Sequence, residues 1–188
     1  MSRFAAWPLV LLLTLVPLGI AANSPLLAWR EPVYIVAGFA GVVGLALLLI
    51  QPLLILNALP GLSAMRTRKL HRLVGVALLV AVLVHVGGLW VTSPPDVVDA
   101  LLLRSPTLFS VWGVAAMWAV FATAALAFYR RKLGPRRWRL AHVSLAVVIV
   151  LGTTIHALLI EGTMGTVSKA VLCLAVLSSA LAVIRRRR

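Results

Sequence analysis

Acidic side chains are almost missing from this chain. There are four in 188 residues: Glu31, Asp96, Asp99 and Glu161. None falls inside an apolar run long enough to cross a bilayer. Proton pumps and ion-coupled transporters normally place carboxylates within their spans, and zinc or non-haem iron sites usually want one beside the metal. Both classes lose their usual residues here. Cysteine occurs once, at Cys173, so neither a disulfide framework nor a zinc ribbon can form, and Cys173 is expected to be a small packing residue. No Cys-x-x-Cys-His sequence is present to attach a haem covalently. A Walker loop is missing, as is a Gly-x-Gly-x-x-Gly fingerprint following a strand, so the chain has no nicotinamide or flavin domain of its own.

What is present is mostly apolar. Hydrophobic residues make up 62% of the chain and charged ones 12%, with a mean hydropathy of +1.08. Six apolar runs are long enough to span a bilayer: 4–22, 33–56, 70–92, 109–129, 140–160 and 166–184. The connections are short and are punctuated by Pro and Gly, as at Pro60-Gly61, Pro94-Pro95 and Gly134-Pro135. Pro17 and Pro52 lie inside spans. The expected architecture is an all-α polytopic membrane protein, a six-transmembrane-helix bundle in which residues 1–188 form a single transmembrane domain. No internal repeat is evident across the chain, although the third and fifth runs echo each other. The start, Met1-Ser2-Arg3 before an apolar run, also has the form of a secretory signal peptide; its length and Pro17 favour an uncleaved first helix.

The net charge of +14 is distributed by side. Fifteen of the 18 basic residues fall at the N-terminus (Arg3), around the second connection (Arg66, Arg68, Lys69, Arg72), around the fourth (Arg130 to Arg139) and at the C-terminus (Arg185 to Arg188). In a six-span chain these four regions share one side. Arg30, Arg104, Lys169 and all four acids fall on the other. The positive-inside rule then puts both termini in the cytoplasm. It also accounts for the basic excess through the membrane and its anionic lipid headgroups, with no nucleic acid needed as a partner.

Histidine is the informative residue. The chain has four, paired at one spacing: His71 with His85, and His142 with His156. Fourteen residues at about 100° each fall some 40° short of four turns, so each pair shares a helix face, with its members about 21 Å apart along the axis. That rise is most of a hydrocarbon core of about 30 Å. A single intramembrane histidine often only packs or hydrogen-bonds between helices. Here no histidine occurs anywhere else, and the third and fifth spans run in the same direction. His71 can therefore face His142 near the cytoplasm, and His85 can face His156 near the outside. Two such gaps suit two non-covalent b-type haems, each iron held by two axial imidazoles. His71, His85, His142 and His156 are thus the expected cofactor and metal ligands; no catalytic residue is expected. Gly75, Ala81, Ala146 and Gly152, one turn inward from each histidine, are small enough to clear a porphyrin edge, though membrane helices also pack through small residues. Arg68, Lys69, Arg72 and Arg139 are candidate partners for inner haem propionates, and Arg30, Arg104 and Lys169 for outer ones. Trp118, mid-span, could pack beside a haem or only against another helix.

The stretches Arg66-Thr-Arg-Lys-Leu-His-Arg-Leu-Val-Gly75 and Arg130-Arg-Lys-Leu-Gly-Pro-Arg-Arg-Trp-Arg-Leu-Ala-His142 resemble the ferric reductase-like transmembrane domain. That family includes ferric reductases, NADPH oxidases and the bacterial haem membrane subunit that serves periplasmic methionine sulfoxide reductase. The resemblance implies transmembrane electron transfer from a cytoplasmic reduced flavin to an outside acceptor: ferric iron, dioxygen or a periplasmic redox protein. It implies the same four histidines as axial ligands, and a bacterial inner (plasma) membrane location. Lacking a flavin domain, the chain would be the membrane haem subunit of an oxidoreductase and would need a cytoplasmic flavin reductase as partner. Two other functions fit the residues: a quinol-oxidising cytochrome b or membrane anchor subunit, and a non-redox helical assembly whose histidines only pack.

Overall fold

The computed structural model describes residues 5–186. Met1 to Phe4, including Arg3, and the terminal Arg187 and Arg188 lie outside the described residues. Seven α-helices follow one another: α1 (Ala6–Ala22), α2 (Pro32–Ile55), α3 (Ala64–Thr92), α4 (Pro94–Leu101), α5 (Leu108–Phe128), α6 (Pro135–Leu159) and α7 (Thr166–Arg185). No strand occurs among the described residues. Helices α2, α3, α5, α6 and α7 are long and apolar enough to cross a membrane, and α1, with 17 residues, is a shorter apolar helix. The chain is a multi-pass membrane protein. Five full-length spans therefore stand where six runs of spanning length are expected, with α1 at the lower limit of about 17 residues for a crossing.

The helix ends have local causes. Ser63 caps α3, its hydroxyl accepting from the Arg66 N–H. Pro135 opens α6 at a position where its missing N–H costs nothing. Both helices therefore begin about six residues ahead of the apolar runs, and the basic residues 66–72 and 136–139 ride on first helical turns rather than in loops. The segment after α3 is also more ordered than expected, for it holds the eight-residue α4. Its paired prolines occupy the first turn with Asp96, an anion at the positive end of the helix dipole.

Two helical hairpins dominate the packing. α2 lies along α3 and α5 along α6, while α7 packs on both α2 and α6. Leu45, Leu49, Val120, Ile149, Leu172 and Val176 meet in the core between them. Cys173 is buried there too, as expected of a packing residue. α3 and α6 do not pack closely on each other, and α3 buries only Thr67, Leu78 and Ala81. The longest helix in the protein thus has its flank open.

The hairpins repeat one another. Ala37 and Gly41 on α2 recur 72 residues later as Phe109 and Gly113 on α5; His71 and His85 recur 71 residues later as His142 and His156. The small-residue contacts recur with the glycine exchanged: Gly44 faces Ala81 in one hairpin, and Ala116 faces Gly152 in the other. An internal repeat is present after all. Substitution at most other positions hid it in the sequence.

Candidate haem-binding site

The space between α3 and α6 is bridged by imidazoles. The rings of His71 and His142 have centres 6.2 Å apart, and those of His85 and His156 are 6.4 Å apart. The expected pairing by depth is the one observed, and it requires α3 and α6 to run parallel in register. Among the described residues no group of three or more His, Cys, Asp or Glu side chains is gathered. A zinc-type polydentate site has no counterpart, and two-imidazole sites are what the geometry offers.

The separation can be tested against chemistry. An imidazole nitrogen binds a metal at about 2.0 Å and lies about 1.1 Å from its own ring centre, so two imidazoles on opposite sides of one iron stand about 6.2 Å apart. Both observed distances are compatible with that spacing, and also with an edge-to-face contact between the rings. The ring planes are 70° and 80° apart, an angle left free by rotation about the nitrogen–iron–nitrogen axis. The residues fit a bis-histidine haem at each depth.

The outer pair is held from behind. His85 Nδ1 lies 2.8 Å from the Ala37 carbonyl and His156 Nδ1 lies 2.8 Å from the Phe109 carbonyl. A carbonyl only accepts, so each ring carries its proton on Nδ1 and leaves Nε2 as the free lone pair. Four residues after each carbonyl comes a glycine. A β-carbon at Gly41 would sit 3.0 Å from His85 Nδ1, and one at Gly113 would sit 2.7 Å from His156 Nδ1. These two glycines let the rings lie flat against the neighbouring backbone. Sequence reasoning missed all four residues. A backbone carbonyl has no residue signature, and a glycine in an apolar helix reads as ordinary membrane packing.

The inner pair has further contacts. Trp138 stacks on His142, with ring centres 5.1 Å apart and planes 9° apart. The helical spacing of four between Trp138 and His142 brings the indole onto the ligand face. Beside His71 stands Gln51, whose backbone addresses the His71 ring as Ala37 addresses His85, and whose Nε2 donates to the His71 carbonyl at 3.3 Å.

Several expected neighbours act elsewhere. A β-carbon on Gly75 would meet Gln51 Nε2 at 3.3 Å, and one on Gly152 would meet the Trp112 carbonyl at 2.9 Å. With Ala81 against Gly44, three of the four small residues serve helix packing rather than clearance for a porphyrin. Lys169 is buried and donates to the carbonyls of Ile160 (2.7 Å) and Leu158 (3.4 Å), closing the C-terminal end of α6. Its Nζ is therefore engaged with the backbone rather than free for an outer propionate. Arg30 lies over the Tyr34 ring. Trp118 is 58% exposed, on the outer surface against Phe121, away from the histidines. On the basic side an open cleft of about 320 Å³ is lined by Arg130, Arg131, Leu133, Pro135 and Trp138.

No curated protein and no solved structure matches the chain significantly. The family model described as "Ferric reductase like transmembrane component" matches residues 37–153. The match runs from Ala37, the carbonyl behind His85, to Thr153 in α6; it takes in His71, His85 and His142, ends three residues before His156, and leaves out α1 and α7. With more than half its length matched, the chain belongs to the ferric reductase-like transmembrane family.

Proposed function

We propose that this protein carries electrons across the inner membrane of a bacterium, from a reduced flavin supplied in the cytoplasm to an acceptor outside, as the membrane haem subunit of an oxidoreductase. The whole chain, residues 1–188, works as one haem-binding membrane domain with both termini cytoplasmic. His71 and His142 hold one b-type haem and His85 and His156 the other. Bound haem supplies one-electron chemistry, its iron alternating between ferric and ferrous forms. The observation that carries this reading is the pair of ring separations, 6.2 and 6.4 Å, in a chain of this family.

The protein's own residues do the rest. The Ala37 and Phe109 carbonyls fix the Nδ1 protons of the outer histidines and aim Nε2 into the gap. Exposed Arg68, Lys69, Arg72 and Arg139 stand near the inner pair in sequence, where haem carboxylates need cations. The cleft of Arg130, Arg131 and Trp138 faces the donor side. Its guanidinium groups attract an anionic flavin or an acidic reductase surface, and its indole leads directly to His142. The connections among the described residues are too short to fold a flavin domain, so the flavin is brought to the basic side by a module other than these helices.

Proteoliposomes with ferricyanide trapped inside test the function. A flavin reductase, free flavin and NAD(P)H added outside should reduce the trapped ferricyanide only when the protein is present with its basic side outward. Electron entry from quinol but not from reduced flavin would assign the chain instead to the quinol-oxidising cytochromes b or to membrane anchor subunits. No transfer from either donor through haem-loaded protein would refute the proposal.

A further inference from the structure

Trp138 touches both the basic surface and the cytoplasmic-side histidine pair. It borders the open cleft that Arg130 and Arg131 line. Its flat face stacks on the His142 ring, with planes 9° apart, and that ring stands 6.2 Å from His71. Stacking uses the face of the indole and leaves its N–H unused. Nε1 is buried and has no hydrogen-bond partner among the described residues. An indole nitrogen donates and cannot accept, and a buried donor without an acceptor is costly to keep. The equivalent positions hold no such donor. Four residues before His71 stands Thr67, whose hydroxyl donates to the Ser63 carbonyl at 3.1 Å. Four before His156 stands Gly152, packed against the Trp112 carbonyl and Ala116. Among the described residues no side chain beside His85 or His156 has a buried polar atom left over. The open donor of Trp138 is thus particular to the inner pair. Its surroundings favour an anionic acceptor, because exposed Arg139 follows it and exposed Arg68, Lys69 and Arg72 lie on the same side of the protein. An ionised carboxylate only accepts, so it complements an indole that only donates.

We propose that Trp138 anchors the inner cofactor by an acid group: its Nε1–H donates to a carboxylate oxygen of the haem that His71 and His142 hold. The inference rests on the haem reading above. The two sides of the residue then have separate tasks. The ring face braces the His142 imidazole, and the N–H recognises the acid. The carboxylate edge of the inner haem is thereby set toward the basic side, and the outer site lacks this means of selection.

Haem b and its dimethyl ester, which has no ionised carboxylate, are the two probes. Each is loaded into full-length parent protein and into Trp138→Phe in nanodiscs, and its transfer to apomyoglobin is followed. Phenylalanine keeps an aromatic ring against His142 and removes the N–H. For haem b, Trp138→Phe should weaken retention at the inner site about 10–100-fold, the range for a hydrogen bond to a charged group. The ester should be held nearly alike by the two proteins, and the outer component should not change with either probe. Equal loss of both probes overturns the proposal and leaves the indole as a packing residue. Undiminished retention of haem b overturns it too, and leaves a water as the acceptor. A second measurement is made on the parent protein: proton–nitrogen NMR of the indole groups with each probe in its diamagnetic ferrous form. Both probes carry the same macrocycle, so its ring current cancels in the comparison. The Trp138 Nε1–H signal should lie further downfield with haem b than with the ester. The same position with both overturns the proposal while the haem reading stands. Parent protein that takes up neither probe would remove the function proposed above, and this inference with it.

Discussion

Gly113 lies against the ring of His156 so closely that a β-carbon on it would stand 2.7 Å from Nδ1, and Gly41 stands in the same relation to His85 at 3.0 Å. The two contacts hold the outer imidazoles at fixed height and angle. Gly113→Ala and Gly41→Ala should each displace the adjacent ring, the first more than the second, because its contact is tighter. Overpacking of this kind costs about 1–3 kcal/mol. Haem content and thermal unfolding measure it: the component held by His85 and His156 should be lost first, with the inner component retained. Selective loss of the inner component would contradict the assignment of these glycines.

Lys169 closes α6 one turn beyond His156. Lys169→Met should leave the Ile160 and Leu158 carbonyls without Nζ in a partly buried place, at a cost of about 1 kcal/mol. The melting temperature in detergent should fall, and the outer site should loosen before the inner one. An unchanged melting temperature would show that water replaces Nζ there.

Charge placement predicts topology. Cysteines introduced at positions 58–62 and 132–134, in a Cys173→Ala background, should resist an impermeant thiol reagent in intact cells. Cysteines at 102–106 should react. Fifteen basic residues on one side against three on the other underlie this expectation. The reverse labelling pattern would invert the direction of electron flow.

The donor can be tested in solution. NAD(P)H alone should not reduce the bound haem, whereas a flavin reductase with free flavin should. The rate should fall as salt is raised, because the cleft of Arg130, Arg131 and Trp138 attracts the donor through charge screened over about 10 Å at 0.1 M. Arg130→Gln with Arg131→Gln should slow reduction and flatten the salt dependence, leaving haem content intact. Rapid reduction by NAD(P)H without added protein would show that no partner is needed.

The four histidines, their pairing and the span order were legible in the sequence, because a 14-residue spacing within apolar runs is a pattern that helix geometry alone interprets. The supporting atoms were not. Ala37 and Phe109 act through their carbonyls, and Gly41 and Gly113 act through what they lack. Lys169 could be counted by side but not aimed, since its partners lie on the preceding helix's last turn. α4 was hidden by its two prolines, which signal a turn but also open a helix. The repeat was hidden because Gly44 and Ala81 exchange sizes with Ala116 and Gly152, preserving a contact while erasing the identity.

Redox titration of the four single histidine variants tests the central claim most directly. His71→Ala and His142→Ala should each remove one haem component, and His85→Ala and His156→Ala should each remove the other, from a parent protein that titrates as two b-type haems per chain. Loss of the same single component in His71→Ala and His156→Ala, or a folded parent protein that takes up no haem when haem is supplied, would contradict it.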